Sequence, residues 1–408
     1  MIILKKVLIP RENSWIRRDI IIENGVYSKI SESINEHDLK NGRVIQCEGL
    51  YLIPSFIDPH VHVREPGYDY KEDWDTCTRA ALKGGASAIF DMPNNKIPVT
   101  DKKTIKEKGE IAFNKSYVNY GLYVALTDDN VDEIRKSGIQ KAVCGIKIYM
   151  SKTTGDITVK SEYALLNIFN QTRPVLVHTG SVDGLLKILS SYEKAAKKFS
   201  SIPVLYICHV STGDEVSILR KWKEIFPWIH VEVSPHHLFL NKENYKGLKR
   251  VLPSLCSKKD NEALWKGIDD RTIDLIGTDH APHTVEEKKK EDPPAGFPGL
   301  ETALPLLFNA LKEERITLGT LLSITSVNTK TLFRIRKGTG VQENACADCT
   351  LIEEGVFFIG QDGYITKCGW SPFHGWKYTF NPVLTMVNGF IAYERGRFFR
   401  NPVKNLCI

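Results

Sequence analysis

Phe56-Ile57-Asp58-Pro59-His60-Val61-His62 is a short apolar run that ends in two imidazoles. Side chains alternate along a strand, so His60 and His62 share one face of it. The same form recurs outward along the chain, in Val175-Leu176-Val177-His178, Tyr206-Ile207-Cys208-His209 and Leu275-Ile276-Gly277-Thr278-Asp279. Four more apolar runs occupy 86–92, 118–126, 143–149 and 229–233, and stretches of helical spacing such as 74–83, 159–169 and 214–223 separate them. Eight strands alternating with helices over about 280 residues predict an α/β fold of the (β/α)8 barrel type.

The flanks read differently. Asp19–Glu23 leads through Asn24-Gly25 into Val26–Ile30, and Asn388-Gly389 joins two apolar runs near the other end; Asp362-Gly363 precedes Tyr364-Ile365 in the same style. Asn-Gly between β-rich runs signals a tight hairpin. Residues 1–50 and 340–408 are therefore expected to pair into one small β-sandwich domain beside a barrel at 51–339.

With 42% hydrophobic and 25% charged residues, the chain is neither disordered nor a rod. No apolar window is long enough for a membrane span, and the first residues lack a secretory pattern. The net charge of +6 is mild, and Lys288-Lys289-Lys290 has acidic neighbours, so neither nucleic acid nor membrane is an expected partner. Nine scattered cysteines, including a lone Cys346-x-x-Cys349, predict reduced thiols and a cytoplasmic protein.

Barrel enzymes carry their chemistry at the C-terminal ends of the strands. Here those ends hold His60, His62, Asn94, Lys147, His178, His209, Glu232 and Asp279. Taken singly, each has a structural reading: a hydrogen-bonded core histidine, or an Asp capping a helix. Together, four His and one Asp around one mouth suit zinc or another borderline metal. Lys147 is the odd member, because an ammonium that ends an apolar strand is costly unless paired or modified.

The segment Phe56–Gly67, with His60-Val61-His62-Val63-Arg64-Glu65-Pro66-Gly67, resembles the opening metal motif of dihydroorotases in the cyclic amidohydrolase superfamily. The similarity continues through Asp91-Met92-Pro93-Asn94, Gly145-Ile146-Lys147, Ile207-Cys208-His209, Glu232–Leu240, Thr278-Asp279-His280-Ala281-Pro282-His283 and Gly296-Phe297-Pro298-Gly299. It covers nearly the whole chain. It implies two zinc ions, one held by His60, His62 and Asp279 and one by His178 and His209, with carboxylated Lys147 between them. A metal-bridging hydroxide would be the nucleophile and Asp279 the general base and acid. Arg64, Asn94 and His283 would hold the substrate carboxylate, and the segment with Pro298 and Gly299 would meet the ring amide. Cys208, Glu232 and His237 resemble a further arrangement, which makes a third zinc the weaker expectation. Thr127-Asp128-Asp129 is the competitor to Lys147 but ends an earlier strand. The implied reaction is reversible cyclisation of N-carbamoyl-L-aspartate to L-dihydroorotate, a step of pyrimidine biosynthesis, with a homodimer or a complex with aspartate transcarbamoylase left open.

Two departures stand out. Leu252 replaces the Arg or Asn that many relatives carry before the Pro matching Pro253, with Arg250 two residues away. Thr179-Gly180 replaces the Ala-Glu that commonly follows the ligand matching His178. The competing readings are a sister hydrolase, an allantoinase or a hydantoinase (dihydropyrimidinase), and a non-catalytic scaffold subunit. The scaffold reading expects lost ligands, whereas all six are present.

Overall fold

Five strands precede the barrel in the computed structural model, which describes residues 1–35, 42–152, 157–335 and 340–407: β1 (Ile2–Arg11), β2 (Ser14–Glu23), β3 (Val26–Ser31), β4 (Arg43–Gln46) and β5 (Leu50–Pro54). The eight apolar runs then form β6 (Phe56–Val61), β7 (Ala86–Asp91), β8 (Asn119–Ala125), β9 (Gly145–Tyr149), β10 (Val175–His178), β11 (Leu205–Ile207), β12 (Ile229–Val233) and β13 (Leu275–Ile276). Each of the first seven pairs in parallel with the next in chain order. They read as continuous apolar runs because both faces of a parallel sheet are covered.

The seam between β13 and β6 is made by other means than a ladder. Asp58, wholly buried, accepts the Thr278 N–H at 3.0 Å and the Thr278 hydroxyl, while the His62 N–H donates to His280 O at 2.8 Å. Gly277 sits where a Cβ would lie 2.2 Å from the Glu232 carboxylate, so only glycine lets the eighth strand pass. Burial pushes the Asp58 carboxyl up to about 7 although Thr278 and the His60 N–H oppose it.

Inside the barrel Phe90 packs on Tyr123 and Phe333, with ring centroids 5.9 and 4.5 Å apart. Leu332 and Phe333 close the bottom of this interior together with Cys407. Truncation of a fully buried aromatic ring leaves a cavity that a closed barrel does not refill. Phe90→Ala is expected to cost about 3–5 kcal/mol in urea or thermal unfolding; a loss below ~1 kcal/mol would show that this layer is not close-packed.

The tail reaches the barrel bottom by pairing with β8, through Tyr120 N–H to Lys404 O and Leu406 N–H to Tyr120 O. This brings Cys407 to Cys144, and the two form a disulfide across 263 residues of sequence. The other seven cysteines are free thiols, Cys346 and Cys349 among them. The expectation of nine reduced thiols thus fails at one pair, because a contact so distant in sequence has no spacing signature.

The closing strands β14 (Cys349–Phe358), β15 (Lys377–Val387), β16 (Phe390–Glu394) and β17 (Arg397–Phe398) join the opening five in one nine-stranded sheet, ordered β17-β16-β15-β14-β5-β1-β2-β3 with β4 on β1. Hydrogen bonding is continuous through it. Even so, Ile20 and Tyr27 from one half share a core with Leu384 and Ile391 from the other, so the sheet folds over its own apolar face. Both Asn-Gly pairs form the expected hairpin turns, with φ of 50° and 81° at Asn24 and Gly25 and of 53° and 78° at Asn388 and Gly389. The two turns touch: a Cβ on Gly25 would lie 2.8 Å from Asn388 O.

Asp362-Gly363 does turn, but Tyr364-Ile365 is no strand. The Ile365 and Thr366 N–H groups donate to the Glu301 carboxylate at 2.9 and 3.0 Å, and the Trp370 indole to His283 O at 2.8 Å. The segment's donors are satisfied by a side chain and a loop, and it lies against the loop that follows β13. Among the helices, Trp74–Lys83 matches its expected span and is capped by Asp73, and Gly213–Ile225 carries a Thr212–Glu215 capping box. The 159–169 helix shrinks to Glu162–Asn167 because Thr158 pairs with Tyr149 as an extended bridge. No helix among the described residues is long and apolar enough to cross a membrane.

Candidate metal centre and active site

The C-terminal ends of the barrel strands open on a cavity of about 440 Å³ whose wall includes His60, His62, Lys147, His178, His209 and Asp279. Residues from β6, β9, β10, the end of β11 and the turn after β13 thus converge, although they lie up to 219 positions apart. His60, His62 and Asp279 offer ligand atoms within 4.8 Å of one another. Asp279 Oδ1 stands 3.0 Å from His62 Nε2 and 3.3 Å from His60 Nε2. His178 Nδ1 lies 3.0 Å from His209 Nε2, and His209 Nδ1 is buried with no partner among the described residues. A buried imidazole nitrogen without a partner among the described residues, on a ring whose centroid lies 5.2 Å from that of His60 and 4.8 Å from that of His178, fits a metal ligand.

The electrostatics agree. Burial holds His62 down to about 4, and burial with the Lys147 charge holds His178 at about 3. His209 is likewise pushed well below the usual histidine range, by burial and then by His178. All three imidazoles are therefore neutral at pH 7 and keep a lone pair for a metal. His60 is the exception: burial opposes its charge, but the carboxylates of Glu232 and Asp279 raise it to about 10. A divalent cation would replace the proton that these carboxylates attract. Burial pushes the Asp279 carboxyl up, yet the neighbouring His60 and His62 prevail and hold it well below its usual range, as an anion.

Lys147 is fully buried, and its Nζ meets the Cys208 thiol at 2.8 Å and no carboxylate among the described residues. Its competitor is elsewhere: Asp128 accepts the N–H groups of Lys160 and Ser161 at 2.8 and 2.7 Å at the exposed start of a helix. Arg64, His209 and Asp279 all hold positive φ, of 73°, 34° and 46°. Backbone strain of this kind in non-glycine residues clusters at functional sites.

Arg64 is buried, with Nη2 3.2 Å from His283 Nε2 and Nε donating to Pro282 O at 3.3 Å. Asn94 lies on the same cavity wall with its Oδ1 2.7 Å from His62 Nδ1, so it also orients a ligand. His283 and Arg64 are thus brought together as expected. Pro298 and Gly299 are not at the cavity. They line a separate small cleft with His280, Glu301 and Trp370, and the Gly299 N–H donates to His280 Nδ1 at 3.1 Å. The part of the segment that reaches the cavity is Pro293–Gly296.

The set Cys208, Glu232 and His237 divides. Cys208 and Glu232 face His60, with Glu232 Oε1 2.8 Å from His60 Nδ1 and accepting the His209 N–H at 2.8 Å. His237 is turned away, its nitrogens 2.7 Å from Ser234 Oγ and 3.0 Å from Pro253 O. Glu232 is thereby the carboxylate that fixes the His60 ring.

Several residues of the site escaped the sequence reading. Tyr206 donates to Glu232, Ser151 Oγ sits 3.0 Å from His178 Nε2, and Lys152 and Lys290 line the mouth. None ends a strand in a motif of its own, so only proximity reveals them. Leu252 lies on the cavity wall, 40% exposed, and Arg250 beside it is paired with Asp292.

No family model matches the chain. It is 33% identical over 386 residues to the dihydroorotase of Pyrococcus horikoshii, covering 90% of this chain and 86% of that one. It is 34% identical over 417 residues to the dihydroorotase of Methanosphaera stadtmanae, with 92% and 93% covered. It is also 34% identical over 362 residues to the multifunctional protein CAD of Squalus acanthias, of whose length the match spans only 15%. In fold it is similar to the L-hydantoinase (dihydropyrimidinase) of Arthrobacter aurescens, with a TM-score of 0.87, 23% identity and 98% and 97% of the chains covered.

Proposed function

The chain belongs to the dihydroorotase family, and from that premise we propose that it interconverts N-carbamoyl-L-aspartate and L-dihydroorotate on a zinc pair. The observation that carries this reading is the placement of Arg64 and Asn94 on the wall of one cavity with all six ligand-type side chains, His283 lying beside Arg64. An anion clamp beside a metal centre suits a cyclic amide that bears a carboxylate.

His60, His62 and Asp279 would hold one ion, His178 and His209 the other. When bound, zinc polarises a carbonyl and makes water acidic enough to attack at neutral pH. Lys147 would first lose a proton to become the neutral amine and then bind CO₂ at Nζ, forming an N–C bond and releasing a second proton, which turns a misplaced cation into an anionic ligand. Asp279 takes the proton of the attacking water and passes it to the departing ring nitrogen, and the reverse reaction returns it. Arg64, His283 and Asn94 hold the substrate carboxylate while this occurs, and Glu232 keeps the His60 ring oriented.

The test is ring opening of dihydroorotate by protein purified without chelator, with metal content measured on the same sample. About two zinc ions per chain, lost together with activity on chelation, are expected. Full activity in metal-free protein would sink the mechanism. Leu252 predicts a further outcome. An apolar side chain on the wall gives the substrate anion one polar contact fewer, so Leu252→Arg is expected to lower KM by roughly tenfold. An unchanged KM would place the carboxylate away from this wall.

The same reading divides the chain into a composite β unit, 1–50 with 340–408, and a barrel, 51–339; the two separate sheets support two units, with β5 carrying the β unit on to Pro54. The seven free thiols support a reducing compartment, the cytoplasm, whereas the Cys144–Cys407 disulfide speaks against it. The match to a region of a multifunctional protein supports assembly with other enzymes, aspartate transcarbamoylase being the one that the resemblance implies.

A further inference from the structure

The N-terminal ends of the barrel strands, opposite the metal centre, open on a second cleft of about 660 Å³. Lys141, Arg173 and Arg334 line it, and no carboxylate does among the described residues. Some surface cations are paired with carboxylates, as in Arg220–Asp270, Lys223–Asp274 and Arg315–Glu262. In the cleft none of the three cations has an acidic partner among the described residues.

Arg173 is fixed in place. Its Nε donates to Gln140 O and its Nη2 to Cys407 O at 3.2 Å, and the Gln171 side-chain amide donates to Arg173 O at 2.7 Å. A guanidinium has five N–H donors, so three remain for a ligand. Burial and then the charge of Arg334 both disfavour the charged form of Arg173, a cost that a bound anion would remove. Arg334 is set by the end of its helix, where the Ile335 N–H donates to Lys330 O and the Arg334 φ is 53°. On the rim Trp228 is 43% exposed, its indole held edge-on by Phe226 at 6.1 Å. The volume is that of a small-molecule site.

We propose that this cleft is a second binding site, for a nucleotide: phosphates on Arg173, Arg334 and Lys141, and the base on Trp228. Cations without counter-charges select a multiply charged anion, and a half-exposed indole beside them selects a flat ring. The inference does not rest on the reaction at the other end of the barrel.

The test is calorimetric titration of the full chain with ATP and, separately, with inorganic pyrophosphate at near-physiological salt. The catalytic mouth is also cationic, so Lys290→Ala serves as its control. Arg173→Gln would cut two ties to backbone carbonyls, so the exposed Arg334 and Trp228 carry the test. Saturable ATP binding is expected, weakened at least ~tenfold by Arg334→Gln and unaffected by Lys290→Ala. Trp228→Ala should weaken ATP binding and leave pyrophosphate binding as it was. Absence of saturable binding, or binding that responds to Lys290→Ala and not to Arg334→Gln, would overturn the proposal. Pyrophosphate binding as tightly as ATP would remove the base from it and overturn the nucleotide assignment.

Discussion

Lys147→Ala is expected to lower kcat for ring opening on the order of a thousandfold, about 4 kcal/mol in the barrier, and to lower bound zinc below two per chain. The reason lies in the burial of the wild-type side chain. An ammonium fully out of water, with a thiol at 2.8 Å as its polar partner, stands among histidines that its charge repels. Carboxylation would reverse the sign of that charge and turn the repulsion into ligation. High-resolution density should show a branched carbamate on Nζ in metal-replete protein. An unmodified Lys147 in fully active protein would end this role, and so would an active Lys147→Ala variant.

Arg64→Met should cost at least a hundredfold in kcat/KM for dihydroorotate, roughly 2.7 kcal/mol or more, and far less for dihydrouracil. The two substrates differ by one carboxylate, so the comparison isolates what that anion meets. The group proposed to meet it is the buried Arg64 guanidinium, whose Nε donates to Pro282 O at 3.3 Å. Each charge-assisted bond in such a setting contributes about 1.5–3 kcal/mol. Equal hydrolysis of both substrates by the wild type, with Arg64→Met indifferent, would move the reading to a hydantoinase-like enzyme. That outcome would leave the metal centre intact.

Much of the site was legible because barrel strands deliver their last residues to one mouth. His60, His62, His178, His209 and Asp279 could be picked out by position at a strand end, and Lys147 by its cost there. The second layer was not legible. Glu232 ends a strand like the others and resembled a metal ligand; in place it offers a ligand atom within 4.8 Å of those of His60 and Cys208, and its oxygens also meet His60, Tyr206 and the His209 N–H. His237 resembled one too, but its ring holds Pro253 O instead. A histidine or a carboxylate has the same letter in either role, and only its hydrogen-bond partners separate the two.

What the sequence by itself determined is what depends on local period and chain order. Eight apolar runs with helices between them have one economical closure, and Asn-Gly pairs force the left-handed turns at Asn24-Gly25 and Asn388-Gly389. What only the tertiary structure decided rests on contacts between distant segments. Asp58 stitches the barrel seam to Thr278, the tail carries Cys407 to Cys144, and the 293–296 stretch, not Pro298-Gly299, reaches the cavity. A period of two or 3.6 residues specifies an element and its buried face. It carries no information about which remote side chain will satisfy a buried donor, because that choice is made by packing after the elements have formed.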